Sequence, residues 1–436
     1  MKRENAPSVC FDLVHPAVPT VREGEKLPPV VWLSIEGLQV LPADPPAILP
    51  RPQHRVPASA TRVALSEHHG CAIVDGKVKC WGRASDGQLG DGTRYFHATP
   101  VAVPGLSDAV SLSIADTDAC ALKRSGSLVC WGGSSDHGQP AFTPTEVATS
   151  EPFSEVALVP QAGEPLLCAR GASDWQCRAG EAWHSLQSPA PNVRAFKAGH
   201  FVTADNRSWE WGLSSLQLPP ERDYFARIGL RVKSVAPDGR CAVSTKGELL
   251  CGSCGSCSPA QAKAQLTAIA GDFVDAASTV FDPVKRTDVV CALTKDAKVR
   301  CFQSTNDAFA PPKKPAPVDE PSIEALDAIV QLEAAGRVGY PELTCALSAA
   351  GAVYCWGSGE SGQLGAASIA HRSSAQRIAD LPRIVQIGVA STFACARAES
   401  GAVLCWGSNR NGSAPDGAPG ERTEPVTLAW PGSASR

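Results

Sequence analysis

The sequence predicts an all-β fold built from repeated antiparallel hairpins, and three observations carry that prediction. Two cysteines stand nine or ten residues apart seven times: Cys71 and Cys80, Cys120 and Cys130, Cys168 and Cys177, Cys241 and Cys251, Cys291 and Cys301, Cys345 and Cys355, Cys395 and Cys405. These pairs take 14 of the 17 cysteines. Each pair brackets turn residues, and a strand-like run precedes each pair. The whole unit recurs at roughly 40–50 residues, the period of a repeat architecture.

The first pair encloses Asp75-Gly76, a dipeptide suited to a type I′ turn, which needs positive φ at both central residues. Four residues precede the turn and four follow it, so Cys71 opposes Cys80 and Ile73 opposes Val78. The ten-spaced pairs carry one more loop residue. Gly126, Gly247, Gly351 and Gly401 fall at the third loop position, where a three-residue loop turns left-handed. The extra residue and its glycine arrive together, so the cysteines stay opposed in both spacings. Opposed residues of an antiparallel pair lie roughly 4.5–5.5 Å apart at Cα, inside disulfide range. Small buried thiols are the other reading. Bridges are the expectation, each contributing about 2–3 kcal/mol through its short loop.

An eighth unit, 198–212, keeps the frame without cysteines. With Val202 as the stand-in for a first cysteine, the units step by 49, 48, 34, 39, 50, 54 and 50 residues. Leading strands are expected at 62–67, 110–116, 155–161, 193–199, 232–238, 273–279, 329–335 and 384–390. Each unit supplies three strands, and longer units a fourth, as at 99–103 and 374–378. Units of this size with several short strands read as blades of a closed β-propeller, eight in number with seven as the alternative. Residues 423–430 read as an outer strand that completes the first blade and closes the ring over 61–436, leaving no open sheet edge. Residues 1–60 hold 11 of the 36 prolines and read as a Pro-rich N-terminal extension. A second Pro-rich stretch, 309–321, reads as an exposed loop between blades, a place for partner contacts.

Asp86-Gly87-Gln88-Leu89-Gly90 ends the unit that begins at Cys71, and Ser361-Gly362-Gln363-Leu364-Gly365 ends the unit that begins at Cys345. With their hairpins and Cys-Trp-Gly segments, these units resemble the repeat of the regulator of chromosome condensation family. Residues 120–139 and 395–412 match in part, while 155–310 keep the hairpin and lose the glycine loop. The resemblance implies a propeller and a repeat-structural place for Trp81, Gln88, Trp131, Trp211, Trp356, Gln363 and Trp406. Each tryptophan is one residue past its cysteine, or for Trp211 past Glu210 in the unit without cysteines, and faces the other side of the strand, so blade packing is its expected role. Gln88 and Gln363 are expected to bond the backbone of their own loops. The resemblance also implies a structural hydrogen-bonding role for His68, His69 and His200, beside the hairpins.

The formal net charge is −4 and the pI about 6.2, a poor electrostatic footprint for nucleic acid. No apolar run of about 18 residues offers a membrane span. The first ten residues hold no apolar stretch of the secretory-signal kind. Seven opposed cysteine pairs nevertheless favour an oxidising, extracytoplasmic location: periplasm, cell surface or secreted. The wealth of Ala, Pro and Ser suggests a bacterial gene.

One local motif has chemical potential, Cys251-Gly-Ser-Cys254-Gly-Ser-Cys257. Two CxxC spacings suit zinc or an iron–sulfur start, but a fourth ligand is missing at the required spacing, where Gln261 stands. A Cys241–Cys251 bridge, with Cys254 and Cys257 paired locally or free, is the simpler reading. Cys10 has no partner in the repeat. No catalytic elbow, HExxH or phosphate loop is present, so neither enzyme nor cofactor is expected. The expected function is a monomeric propeller that binds a protein partner or surface through loops on one face. The resemblance offers a second reading, guanine-nucleotide exchange on a small GTPase, the founding member's activity. The cysteine cluster offers a third, a metal or redox function at Cys251–Cys257.

Thiol titration of the denatured, unreduced protein should find at most three free thiols, the 17 cysteines less the 14 in pairs. A count near 17 would refute the bridges.

Overall fold

The computed structural model describes residues 60–133, 140–159, 165–172, 175–179, 182–185, 193–197, 200–203, 205–210, 221–222, 224–236, 240–252, 266–277, 280–282, 287–305, 316–317, 326–335, 343–413 and 420–430. The N-terminal extension to residue 59, most of the 309–321 loop, and Cys10, Trp211, Cys254 and Cys257 lie outside the described residues.

The described strands make eight antiparallel sheets, spanning 60–102, 109–147, 155–185, 193–222, 232–269, 273–317, 329–377 and 384–427, numbered here 1 to 8. In each, four strands lie side by side in chain order, and sheet 6 adds Val280–Asp282. The expected leading runs are the first strands: Val232–Val235, Phe273–Ala276, Ile329–Ala335 and Ile384–Val389 begin at the residue foreseen. In sheet 1 that strand is Ala60–Leu65, two residues earlier. The two short units also carry a fourth strand, contrary to expectation: Ala182–Ser185 and Glu221–Arg222. Each is only two to four residues long, too short for a residue alternation to show.

The cysteines of each pair are direct partners in register. Cys71 faces Cys80 in sheet 1, Cys120 faces Cys130 in sheet 2, and Cys168 faces Cys177 in sheet 3. Cys241 faces Cys251 in sheet 5, and Cys291 faces Cys301 in sheet 6. Cys345 faces Cys355 in sheet 7, and Cys395 faces Cys405 in sheet 8. Their Cα atoms are 4.0–4.2 Å apart, and their sulfurs stand at bonding distance. Cys130 and Cys251 are half-buried, whereas the others, Cys177, Cys301 and Cys355 among them, are buried. In sheet 4, His200 faces Glu210 and Val202 faces Ser208. The cysteine-equivalent pair is therefore His200 with Glu210, which corrects the assignment to Val202. Counting back from Trp211-Gly212 instead of forward from the apolar residue recovers it.

The turns follow the glycine rule. Asp75 and Gly76 have φ of 52° and 75°, and Gly126, Gly247, Gly351 and Gly401 lie between 82° and 88°. Sheets 4 and 6 hold the same backbone with Asn206 (62°) and Ala297 (61°). The reason is a junction to the next sheet. The carbonyl of this last turn residue accepts the N–H that opens the following first strand: Gly76 from Ala109, Gly126 from Phe153, Asn206 from Val232, Gly247 from Phe273, Ala297 from Ile329 and Gly351 from Ile384. Phe153 stands two residues before its strand; the others are strand residues.

Among the described residues, apolar clusters fill seven of the spaces between sheets. Cys71, Ile73 and Val78 pack with Leu112, Ile114 and Trp131 of sheet 2, whereas Ala72 and Val74 pack with Phe393, Val403 and Cys405 of sheet 8. Alternate side chains thus serve opposite faces, and every residue of His69–Val74 is buried. Burying each large aliphatic side chain contributes roughly 1.5–3 kcal/mol. Similar clusters join sheets 2 and 3, 4 and 5, 5 and 6, 6 and 7, and 7 and 8. The arrangement is a β-propeller.

The C-terminal strand also departs from expectation. Glu421–Thr427 pairs with Val403–Ser408 as the fourth strand of sheet 8, and His97–Ala102 fills that place in sheet 1. Among the described residues, no strand is shared between sheets 1 and 8. Leu428 and Trp430, beyond the strand, add to the contact between them, buried with Val63 and Trp81, the two indoles edge to face at 6.2 Å. Sequence alone cannot separate the two pairings, because the strand's alternation is the same in either.

Ala297 occupies a left-handed turn position at a cost of about 1–2 kcal/mol. Ala297→Gly should raise the unfolding free energy by about 0.5–1 kcal/mol after the extra chain entropy of glycine. Gly351→Ala should lower it by at least about 1 kcal/mol, since its Cβ would meet the Ile384 nitrogen at 2.9 Å. Urea unfolding measures both, and equal signs would exclude the argument.

Candidate interaction face

The tryptophans and glutamines meet across the sheet junctions. Trp131 Nε1 of sheet 2 donates to the Gln88 carbonyl of sheet 1 at 3.0 Å, and Trp406 Nε1 of sheet 8 donates to the Gln363 carbonyl of sheet 7 at 2.9 Å. Trp81 Nε1 of sheet 1 donates to the Ser413 carbonyl of sheet 8 at 3.0 Å. Ser413 therefore stands where the other loops have glutamine. The signal for it was Asn411-Gly412-Ser413, aligned with Ser361-Gly362-Gln363, without the leucine that marks the motif. Trp356 is buried in the junction of sheets 6 and 7.

The glutamine side chains brace their own loops. Gln88 Oε1 accepts from the Asp86 N–H at 2.8 Å, and Gln363 Oε1 from the Ser361 N–H at 2.8 Å. Gln363 Nε2 also donates to the Ser391 carbonyl of sheet 8 at 3.3 Å. Both glutamines are fully buried, as are Leu89 and Leu364. The glycine after each tryptophan has φ of 105–119° in sheets 1, 2, 7 and 8. A Cβ on Gly82 would stand 2.6 Å from the His68 carbonyl oxygen, so the preceding turn closes tightly on it.

These contacts fix the loops between third and fourth strands at one end of the sheets. The loop of sheet 1 then crosses to sheet 2, where the Gly92 N–H donates to the Phe142 carbonyl at 2.8 Å. The loop of sheet 7 crosses to sheet 8 in the same way, Ala367 N–H to Thr423 carbonyl, 2.8 Å. Beyond the crossing each loop lifts an apolar tip into solvent. Tyr95 is 53% exposed, Phe96 60% and Ile369 62%. Sequence reasoning missed these three; four to six residues past a Gly-Gln-Leu-Gly motif was the place to look.

His69 is the buried titratable group of this region. Its Nδ1 lies 2.6 Å from Ser66 Oγ, whose one hydroxyl proton is within donating reach of the Asp116 carbonyl of sheet 2 at 3.1 Å. Its Nε2 is buried with no hydrogen-bond partner. Burial first, and the neighbouring His68 second, lower its pKa from 6.5 to about 3. It serves as a neutral structural residue, as expected. The side chain of His200 lies outside the described residues, and Cys254 and Cys257 do too. Among the described residues no three His, Cys, Asp or Glu side chains gather as a metal set, and no helix is long and apolar enough to cross a membrane.

Known proteins resemble this chain in part. Residues 350–397 match the regulator of chromosome condensation (RCC1) repeat, and residues 384–413 match a second description of it. Protein pim1 of Schizosaccharomyces pombe is 29% identical over 114 residues, 21% of this chain and 21% of that protein. The chain thus matches about a fifth of that curated relative's length. The structure of human WBSCR16 covers 83% of this chain and 95% of its own, at 13% identity and a TM-score of 0.52, a likeness of fold alone. Prp20p of Saccharomyces cerevisiae covers 92% and 83%, at 18% identity and a TM-score of 0.39.

Protonating His69 must break its neutral environment, so folding stability tied to it is full above pH 6.5 and declines as pH falls toward 3. The slope should be about 1.4 kcal/mol per pH unit in that window. Between pH 7 and 5 the loss should reach about 2 kcal/mol, and His69→Leu should flatten it in urea unfolding at both pH values. An unchanged slope in the variant would rule His69 out as the source.

Proposed function

We propose that this chain is a non-enzymatic binding propeller, that its eight sheets close into one ring, and that it engages a protein partner through the loops that follow the third strands. The observation that carries the proposal is the contrast within those loops. Their buried polar groups, Gln88, Gln363 and the carbonyls facing Trp81, Trp131 and Trp406, are spent on the frame. Among what they present to solvent are large apolar side chains on braced backbone: Tyr95, Phe96 and Ile369. Exposed aromatics on pre-positioned loops are the usual makings of an interface core.

Closure is supported by the junction of sheets 8 and 1, which repeats the tryptophan-to-loop bond seen between sheets 1 and 2 and between sheets 7 and 8. Gln386 Nε2 also donates to the Val63 carbonyl there at 3.1 Å, and Ser391 binds the Glu67 carboxylate through its N–H and hydroxyl. The seven cysteine pairs at bonding distance support bridges and an extracytoplasmic setting. The RCC1-like repeats agree with a binding role.

Affinity capture with the intact, oxidised chain from surface and extracellular fractions, followed by calorimetry with the captured protein, tests the proposal. A saturable protein complex is expected. Preferential binding of nucleic acid, accelerated nucleotide release from a small GTPase, or no saturable protein ligand would overturn it.

A further inference from the structure

The tip of the sheet 1 loop differs from the rest of the described surface in joining two large exposed aromatics, Tyr95 and Phe96, to a cation, Arg94. Its backbone is braced. Thr93 donates its N–H and its hydroxyl to Asp91 Oδ1, both at 3.0 Å, and His97 Nε2 lies 2.9 Å from Asp91 Oδ2. The guanidinium of Arg94 lies over the Phe142 ring of sheet 2, 4.6 Å from its centroid. Side chains so placed lose little freedom on binding.

The carboxylates around the tip already have bonding partners. Asp91 is taken by Thr93 and His97, and Asp86 by Arg83 and Ser85. Arg94 has no carboxylate within ion-pair distance among the described residues. The polar groups that a sugar ring needs for its hydroxyls, Asp91 and Thr93, are bonded to each other. What remains available is an apolar pair beside an unneutralised guanidinium, and aromatic residues with arginine are the side chains that concentrate binding energy at protein interfaces.

We propose that Arg94-Tyr95-Phe96 is an anchor site for a protein segment that carries an apolar side chain next to a carboxylate. The proposal rests on the protein-binding reading above and adds the site and the chemistry of the partner. The apolar side chain packs between Tyr95 and Phe96, and the carboxylate meets Arg94. The chain's net charge of −4 does not oppose this at contact, because salt at physiological strength screens charges beyond about 8 Å.

Selection of a random phage-displayed peptide library on the intact chain tests it. Selected peptides should pair an aromatic or aliphatic residue with Asp or Glu. They should bind Tyr95→Ser and Phe96→Ser variants at least about tenfold more weakly, with melting temperatures unchanged because both side chains are exposed. Repeating the selection on Arg94→Glu should exchange the acidic preference for Lys and Arg. Peptides that bind all three variants as tightly as the parent would overturn this site and leave the protein-binding reading standing. Failure to select any peptide, together with failure to capture any partner, would end both. A dimer of the chain that Phe96→Ser abolishes would assign the tip to a second copy and overturn the acidic partner.

Discussion

The structure depends on one backbone hydrogen bond repeated from sheet to sheet. In six of the described hairpins the last turn residue is left-handed, and its carbonyl takes an N–H that opens the next unit: Gly76, Gly126, Asn206, Gly247, Ala297 and Gly351. This bond fixes where the next first strand starts, and so which of its side chains face the sheet behind. A slip of one residue would send every apolar side chain of that strand to the wrong face. The requirement explains why the conformation persists at Asn206 and Ala297, where the easiest residue for it is missing. Asparagine tolerates positive φ; alanine adopts it under strain imposed by the junction.

The tryptophan bonds act at the opposite end of the same junctions. Each indole lies in the apolar layer between two sheets, and its one N–H is satisfied by a carbonyl of the loop behind it. A buried indole without that acceptor would leave a costly unpaired donor. The loop is thereby fixed to the next sheet, and its far end is free to carry whatever side chains a partner requires. Rigidity at Gln88 and exposure at Tyr95 and Phe96 are two consequences of one arrangement.

Much of the frame was legible because it is local. Cys71 opposite Cys80 follows from counting residues on either side of Asp75-Gly76, and the register agrees. The same count holds with one more loop residue, where Cys120 meets Cys130 and Cys345 meets Cys355. The glycine of the three-residue loops follows from the φ that the turn demands, and Gly126, Gly247, Gly351 and Gly401 adopt it. The sheet 4 hairpin was misplaced by two residues because Val202 resembles a core residue, whereas the position opposite Glu210 belongs to His200. The roles of Trp131 and Gln88 were half legible. Packing and backbone bonding were foreseen, but the bond between their two units was not, since the two residues are 43 positions apart.

The sequence by itself determined the hairpins and the alternation that buries both faces of the inner strands. These follow from turn stereochemistry and a period of two, which act over a few residues. Only the tertiary structure decided that Glu421–Thr427 stays in its own sheet, and that Trp430 and the Ser413 carbonyl join sheet 8 to sheet 1. It also decided that Tyr95, Phe96 and Ile369 end up outside. An apolar residue in a loop has no local rule telling it whether a neighbouring sheet will cover it. Its burial depends on what the next unit brings to that place.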